Sequence, residues 1–232
     1  MTTIETNLQA VRQRVAAACT AAGRDAADVQ LLAVAKTYPV AAVAEAMAAG
    51  QLQFGENYIQ EAVAKIVALS GSGLVWHCIG PVQSNKTRLV AEHFDWVQTV
   101  DRLKIAQRLS DQRPEAMAPL QVCIQVNTDR GANKAGVLPE ALPALAHAVA
   151  GLPRLRLRGL MTIPEPAADF ASACAVHRRA TELLRQLQGD GLTLDTLSMG
   201  MSGDLEAAIH AGSTMVRVGT AIFGNRRYPA AS

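Results

Sequence analysis

Lys36 is the first residue whose type and surroundings point to chemistry. It directly follows the apolar run Leu31–Ala35 and precedes the polar Thr37-Tyr38-Pro39. A lysine rooted at the end of a buried strand is desolvated, which disfavours its charged form and frees the amine for attack on a carbonyl. Position alone leaves a second reading open, in which the side chain snorkels to the rim with its head in water. Near the other end of the chain, Ser198-Met-Gly-Met-Ser202-Gly-Asp-Leu puts a flexible turn ahead of a helix, with Ser202 expected at the N-cap. Arg217-Val-Gly219-Thr220 closes the final strand pattern. Small hydroxyls and closely approached backbone N–H groups in two such loops suit a phosphate, and ordinary turn and capping chemistry is the plainer reading of each.

Arg217 lies inside an apolar strand, on the same face as Met215 and Gly219. A charge there needs a partner, either a carboxylate within the protein or an acceptor on a ligand. An amine for an aldehyde, a cradle for a phosphate and a cation between them together describe pyridoxal 5′-phosphate. Other candidates carry less. His77, within Val75-Trp-His-Cys-Ile-Gly80, reads as a hydrogen-bonded core histidine, and the remaining four histidines show no metal-ligand spacing. The alternating Arg154, Arg156 and Arg158 read as a solvated strand end or a helix-to-strand turn. No G-x-S-x-G, phosphate-binding P-loop or G-x-G-x-x-G motif is present.

The elements that must position these residues alternate regularly. Residues 3–22 carry Ile4, Leu8, Val11, Val15 and Ala18 at helical spacing. Strands are expected at 29–35, 52–54, 74–79, 94–99, 120–126, 155–161, 194–198 and 214–218. Helices are expected between them, at roughly 39–49, 57–69, 83–92, 101–112, 139–150 and 167–188, and from the loop 199–203 to about 211. Each crossover helix returns the chain to the same edge, so the strands must be parallel. Eight βα units without a reversed edge fit a closed (β/α)8 barrel, one domain spanning 1–232, better than an open doubly wound sheet. In such barrels the chemistry sits at the C-terminal ends of the strands, where Lys36, Ser202 and Arg217 all fall.

Composition narrows the classes. Half the residues are hydrophobic, which excludes a disordered chain, and the 22 basic against 20 acidic residues advertise no nucleic-acid footprint. Cys19, Cys78, Cys123 and Cys174 stand far apart, as expected of reduced thiols. The apolar runs are too short to span a bilayer, and the start Met1-Thr-Thr-Ile-Glu5 does not read as a secretory signal, so a cytoplasmic protein is expected.

The motifs Leu32-Ala-Val-Ala-Lys36-Thr, Phe54-Gly-Glu-Asn57-Tyr, Trp76-His-Cys-Ile-Gly80-Pro-Val-Gln-Ser-Asn-Lys86, Gly159-Leu-Met-Thr-Ile-Pro, Ser198-Met-Gly-Met-Ser202-Gly-Asp and Val216-Arg-Val-Gly-Thr220-Ala-Ile-Phe-Gly224 resemble the pyridoxal phosphate homeostasis proteins. The resemblance runs in order from about residue 4 to Tyr228. It implies a single barrel of the alanine racemase type, with the cofactor carried on Lys36 as an internal aldimine. It also implies an asparagine contact from Asn57, a phosphate cradle at Ser202, Gly219 and Thr220, and Arg217 at the pyridine nitrogen. Members are regarded as carriers or regulators of the free cofactor pool that affect amino-acid and keto-acid balance. The implied partners are therefore the cofactor and apo enzymes that use it, with neither nucleic acid nor membrane, and a monomer is expected.

Three departures stand out. Tyr38 occupies the place of a second lysine in many members, the tail from Asn225 lacks their C-terminal lysines, and Cys78 and Val82 replace the more usual Phe and Leu. Lys134 is then the remaining candidate for any secondary site. The alternative to a carrier is a pyridoxal-phosphate-dependent amino-acid racemase. That reaction needs a base on each face of the substrate, and the second base comes from a domain for which the barrel leaves no room in this chain. A non-catalytic protein is therefore expected.

Overall fold

A computed structural model describes residues 3–224. Helix α1 (Ile4–Ala21) starts at Thr3, whose side chain accepts from the Thr6 N–H, and it buries the stripe Leu8, Val11, Val15 and Ala18. Eight strands follow: β1 (Gln30–Val34), β2 (Gln53–Glu56), β3 (Val75–Cys78), β4 (Trp96–Val100), β5 (Leu120–Gln125), β6 (Leu155–Met161), β7 (Thr196–Ser198) and β8 (Met215–Val218). All pair in parallel in chain order, and β8 closes on β1 through the register Leu32↔Arg217. The intervening helices are α2 (Val40–Ala48), α3 (Ile59–Ala68), α4 (Thr87–His93), α5 (Leu103–Gln112), α6 (Leu142–Ala150), α7 (Phe170–Gly189) and α8 (Leu205–His210). A short helix, α9 (Thr220–Phe223), follows β8, where the sequence pattern leaves only a strand end.

Two boundary shifts bear on the site. Gly55 and Glu56 read as loop residues from their types, yet they belong to β2 because β3 offers them pairing partners, Gly55↔His77 and Glu56↔Cys78. Ser202 is not the N-cap of α8. The turn before that helix is closed by Asp204, whose Oδ1 accepts from the Met201 N–H at 2.7 Å, so α8 starts at Leu205 with Ser202 inside the turn.

Strand alternation divides the sheet into two sides. Ala33, Ala35, Phe54, Trp76, Val97 and Val122 belong to the main apolar core between sheet and helices. Leu32, Val34, Ile79 and Met215 form a separate cluster inside the barrel, and Trp96, Cys123 and Met161 form another. All four cysteines are buried and unbridged. Arg158 packs over Trp96 and pairs with Asp195 at 2.6 Å, so it is more than a solvated strand end, whereas Arg156 is exposed. Among the described residues no helix is long and apolar enough to cross a membrane.

Candidate functional site

The C-terminal mouth of the barrel holds a cavity of about 330 Å³, within the roughly 300–1,000 Å³ common for small-molecule sites. Its wall contains Lys36, Asn57, Ser202, Arg217, Gly219 and Thr220, so all six residues singled out in the sequence converge on one space. Val34, Ile79, Ile163 and Met201 supply apolar wall, and Tyr38 and Gly203 complete it.

Lys36 stands in a tight turn closed by the Tyr38 N–H donating to the Ala35 carbonyl at 3.1 Å. The next residue, Thr37, has φ +68°, a left-handed conformation that a β-branched residue seldom adopts. Behind the turn, Lys65 of α3 donates to the Ala35 carbonyl at 2.8 Å, to Glu56 at 2.7 Å and to Glu61 at 2.6 Å. Glu61 also accepts from the Thr37 N–H at 2.8 Å. Lys65 and Glu56 are buried in the main wall of the fold. Burial raises the Glu56 carboxyl to about 7 despite its bond to Lys65. Asn57 follows Glu56 at the strand end, and Gly80 makes its position possible, since a Cβ there would fall 2.2 Å from the Asn57 carbonyl oxygen. The Asn57 side-chain oxygen is buried with no hydrogen-bond partner among the described residues.

Across the cavity, buried Arg217 donates through Nη1 to the Ser198 carbonyl at 2.8 Å and hydroxyl at 2.9 Å, and through Nη2 to the Thr162 carbonyl at 2.9 Å. Among the described residues no carboxylate lies within ion-pair distance of it. Burial lowers its pKa to about 10, so it stays charged at neutral pH. The Ser198 hydroxyl in turn donates to Gln98 Oε1 at 2.7 Å, and Gln98 Nε2 donates to His77 Nδ1 at 2.9 Å. That fixes the proton on His77 Nε2, which donates to Gln53 Oε1 at 2.7 Å. His77 is thus a core histidine, and burial lowers its pKa to about 3.

The Ser202 loop is braced from two sides. Arg14 of α1 donates to the Ser202 carbonyl at 3.1 Å and pairs with Glu206. Asp204 meets buried His177 at 2.9 Å. Burial opposes the Asp204 charge, but the bonds from His177 and the Met201 N–H outweigh it and hold this carboxyl below its usual range. The Ser202 and Gly203 N–H groups make no backbone hydrogen bond among the described residues. Gly200 has φ +93°, and a Cβ there would fall 2.5 Å from that of Ala208.

Tyr38 is a packing residue. Its hydroxyl donates to the Gly224 carbonyl at 2.6 Å and its ring stacks on Phe223, tying the loop after β1 to α9. Lys134 is outside the cavity wall, paired with Asp129 at 2.7 Å and Glu165 at 3.0 Å. Partial burial works against its charge, yet these bonds prevail and raise its pKa. The tail from Asn225 lies outside the described residues.

This barrel is of the class described as "Alanine racemase, N-terminal domain", whose family profile matches residues 6–227. The chain is 60% identical over 230 residues to the pyridoxal phosphate homeostasis protein of Pseudomonas aeruginosa, covering 99% of each. The chain belongs to the pyridoxal phosphate homeostasis protein family. Among solved structures it is similar to PipY of Synechococcus elongatus with PLP bound, at TM-score 0.83 and 38% identity, covering 95% of this chain and 100% of that one. Alanine racemase from Corynebacterium glutamicum shares the fold at TM-score 0.67 and 18% identity, covering 97% of this chain but 63% of that one.

Proposed function

We propose that this chain binds pyridoxal 5′-phosphate in the cavity at the barrel mouth and serves as a non-catalytic carrier of the cofactor in the cytoplasm. The observation that carries the reading is the convergence of an amine, a buried guanidinium and two small-residue loops on one space. The buried, unpartnered Asn57 oxygen adds an acceptor that calls for a donor. When bound, the cofactor supplies an aldehyde that a lysine amine captures reversibly. Lys36 provides that amine, Ser202, Gly203, Gly219 and Thr220 hold the phosphate, and Asn57 contacts the ring. Arg217 keeps its proton, so it can only donate to the ring nitrogen, which must then act as an acceptor.

The carrier reading is favoured over a racemase by the chemistry of the wall. Racemisation needs a proton donor or acceptor on each side of the substrate carbon. Among the described residues, the titratable group on the wall besides Lys36 and Arg217 is Tyr38, whose hydroxyl proton is given to the Gly224 carbonyl. The relatives' name supports the same reading, and the likeness to alanine racemase speaks for fold alone.

Two experiments test this. Ser202→Ala with Thr220→Val is expected to weaken pyridoxal 5′-phosphate far more than unphosphorylated pyridoxal, at about 1.5–3 kcal/mol for each lost bond to the charged group. Equal weakening of both ligands would place the phosphate elsewhere. Incubation with amino acids in deuterium oxide is expected to give no appreciable exchange at the α-carbon. Rapid exchange with inversion, lost in Lys36→Ala, would restore the racemase.

A further inference from the structure

We propose that Lys65 is a positioning residue which, with Glu56 and Glu61, clamps the turn carrying Lys36 and holds Thr37 in its left-handed conformation. The inference rests on the reading of Lys36 as the cofactor-capturing amine. Its grounds are geometric. Lys36 is the second residue of the Ala35–Tyr38 turn, and Thr37 is the third, a position where positive φ ordinarily calls for glycine or asparagine. A β-branched residue persists in such a conformation only when its surroundings over-determine it.

The surroundings do so at both ends of Lys36. The carbonyl before it accepts from Lys65 at 2.8 Å, and the N–H after it donates to Glu61 at 2.8 Å. Glu61 and Lys65 are themselves joined at 2.6 Å, so both restraints belong to one rigid group. Glu56 anchors that group to the sheet, because its carboxylate leaves β2 on the helix side and meets Lys65 at 2.7 Å. A buried ion pair contributes little stability compared with apolar packing of the same volume. The placement of Lys65 and its partner Glu61 on the two backbone groups flanking Lys36 gives the cluster a role that apolar packing could not fill.

The test uses Glu56→Gln with Lys65→Met, which removes the cation without stranding a buried carboxylate, and then adds Thr37→Gly. Two readouts run in parallel on the full chain. One is the rate at which an amine-selective acylating reagent labels Lys36 in ligand-free protein, read by peptide mapping. The other is the visible absorbance titration with pyridoxal 5′-phosphate. The double variant is expected to label Lys36 at an altered rate and to bind the cofactor about tenfold more weakly, within the roughly 5- to 150-fold range that one strained residue can supply. Thr37→Gly is expected to restore most of the binding, because glycine adopts left-handed φ without steric cost.

Unchanged labelling and binding in a folded double variant would overturn the proposal, as would a loss that Thr37→Gly leaves untouched. If the double variant does not fold, Glu61→Ala, which removes the Thr37 acceptor at a half-exposed site, is expected to show the same pair of changes, and wild-type behaviour there is equally contrary. Borohydride trapping of the wild-type protein on a residue other than Lys36 would instead overturn the functional reading, while the labelling of ligand-free protein still decides the clamp.

Discussion

Two buried polar groups flank the cavity, on opposite sides of the same sheet, and they are built differently. On the helix side, Lys65, Glu56 and Glu61 form a charged cluster that grips backbone atoms around Lys36. Inside the barrel, a chain of mostly neutral hydrogen bonds runs from Arg217 through Ser198, Gln98 and His77 to Gln53 and holds a side chain. A strained turn needs strong, short contacts at fixed backbone positions, and charge-assisted bonds supply them. A buried guanidinium needs every nearby acceptor satisfied in one direction, and a chain of donors pointing away from the charge achieves that.

The two groups also titrate in opposite senses. Glu56 stands at about 7 in the folded chain against an ordinary 4.5, so the folded form keeps a proton that the unfolded chain has released. Its stabilising effect is present below about 4.5 and is lost as pH rises toward 7. His77 stands at about 3 against an ordinary 6.5, so the unfolded chain takes the proton first. Its effect is present above about 6.5 and is lost as pH falls toward 3.

The largest expected effect comes from separating the charges. Above pH 7, where Glu56 is ionised, Lys65→Met alone should cost about 3–5 kcal/mol in denaturant unfolding, with a smaller cost at lower pH where Glu56 keeps its proton, and adding Glu56→Gln should recover most of it. An additive double variant would show that the two do not act as a pair. Next comes the lumen chain. Gln98→Leu leaves the Ser198 hydroxyl proton without its acceptor and His77 Nδ1 without its donor, and it should cost about 1–3 kcal/mol per stranded group. It should also shift the absorbance of bound cofactor through Arg217 while leaving Lys36 labelling unchanged, the reverse of the helix-side variants. The smallest effect is the pH slope. Stability profiles should flatten below 6.5 in His77→Gln and between 4.5 and 7 in Glu56→Gln, each by up to about 1.4 kcal/mol per pH unit. Flattening on the wrong side in either variant would contradict the assignment.

The sequence is most informative about the cavity wall, because strand ends in a repeated βα pattern are easy to locate and Lys36 and Arg217 are conspicuous in apolar runs. The supports of that wall are harder to see. Lys65 looks like one more helical lysine; only its place three residues after Ala62, on the buried stripe of α3, hints otherwise. Gly55-Glu56 looks like a turn until β3 supplies pairing partners. The chain from Arg217 to Gln53 joins residues on five strands, and no local spacing encodes it. The cap of α8 at Asp204 rather than Ser202 depends on the Met201 N–H turning back onto the carboxylate, a tertiary detail of one loop.

The proposed function turns on Lys36 being the amine that meets the cofactor. The direct measurement is borohydride reduction of the protein loaded with pyridoxal 5′-phosphate, followed by peptide mapping of the label. The expected result is a single labelled peptide containing Lys36, with the visible chromophore lost in a folded Lys36→Ala variant. Label found mainly on Lys134 or another lysine, or a chromophore that survives Lys36→Ala, would contradict it.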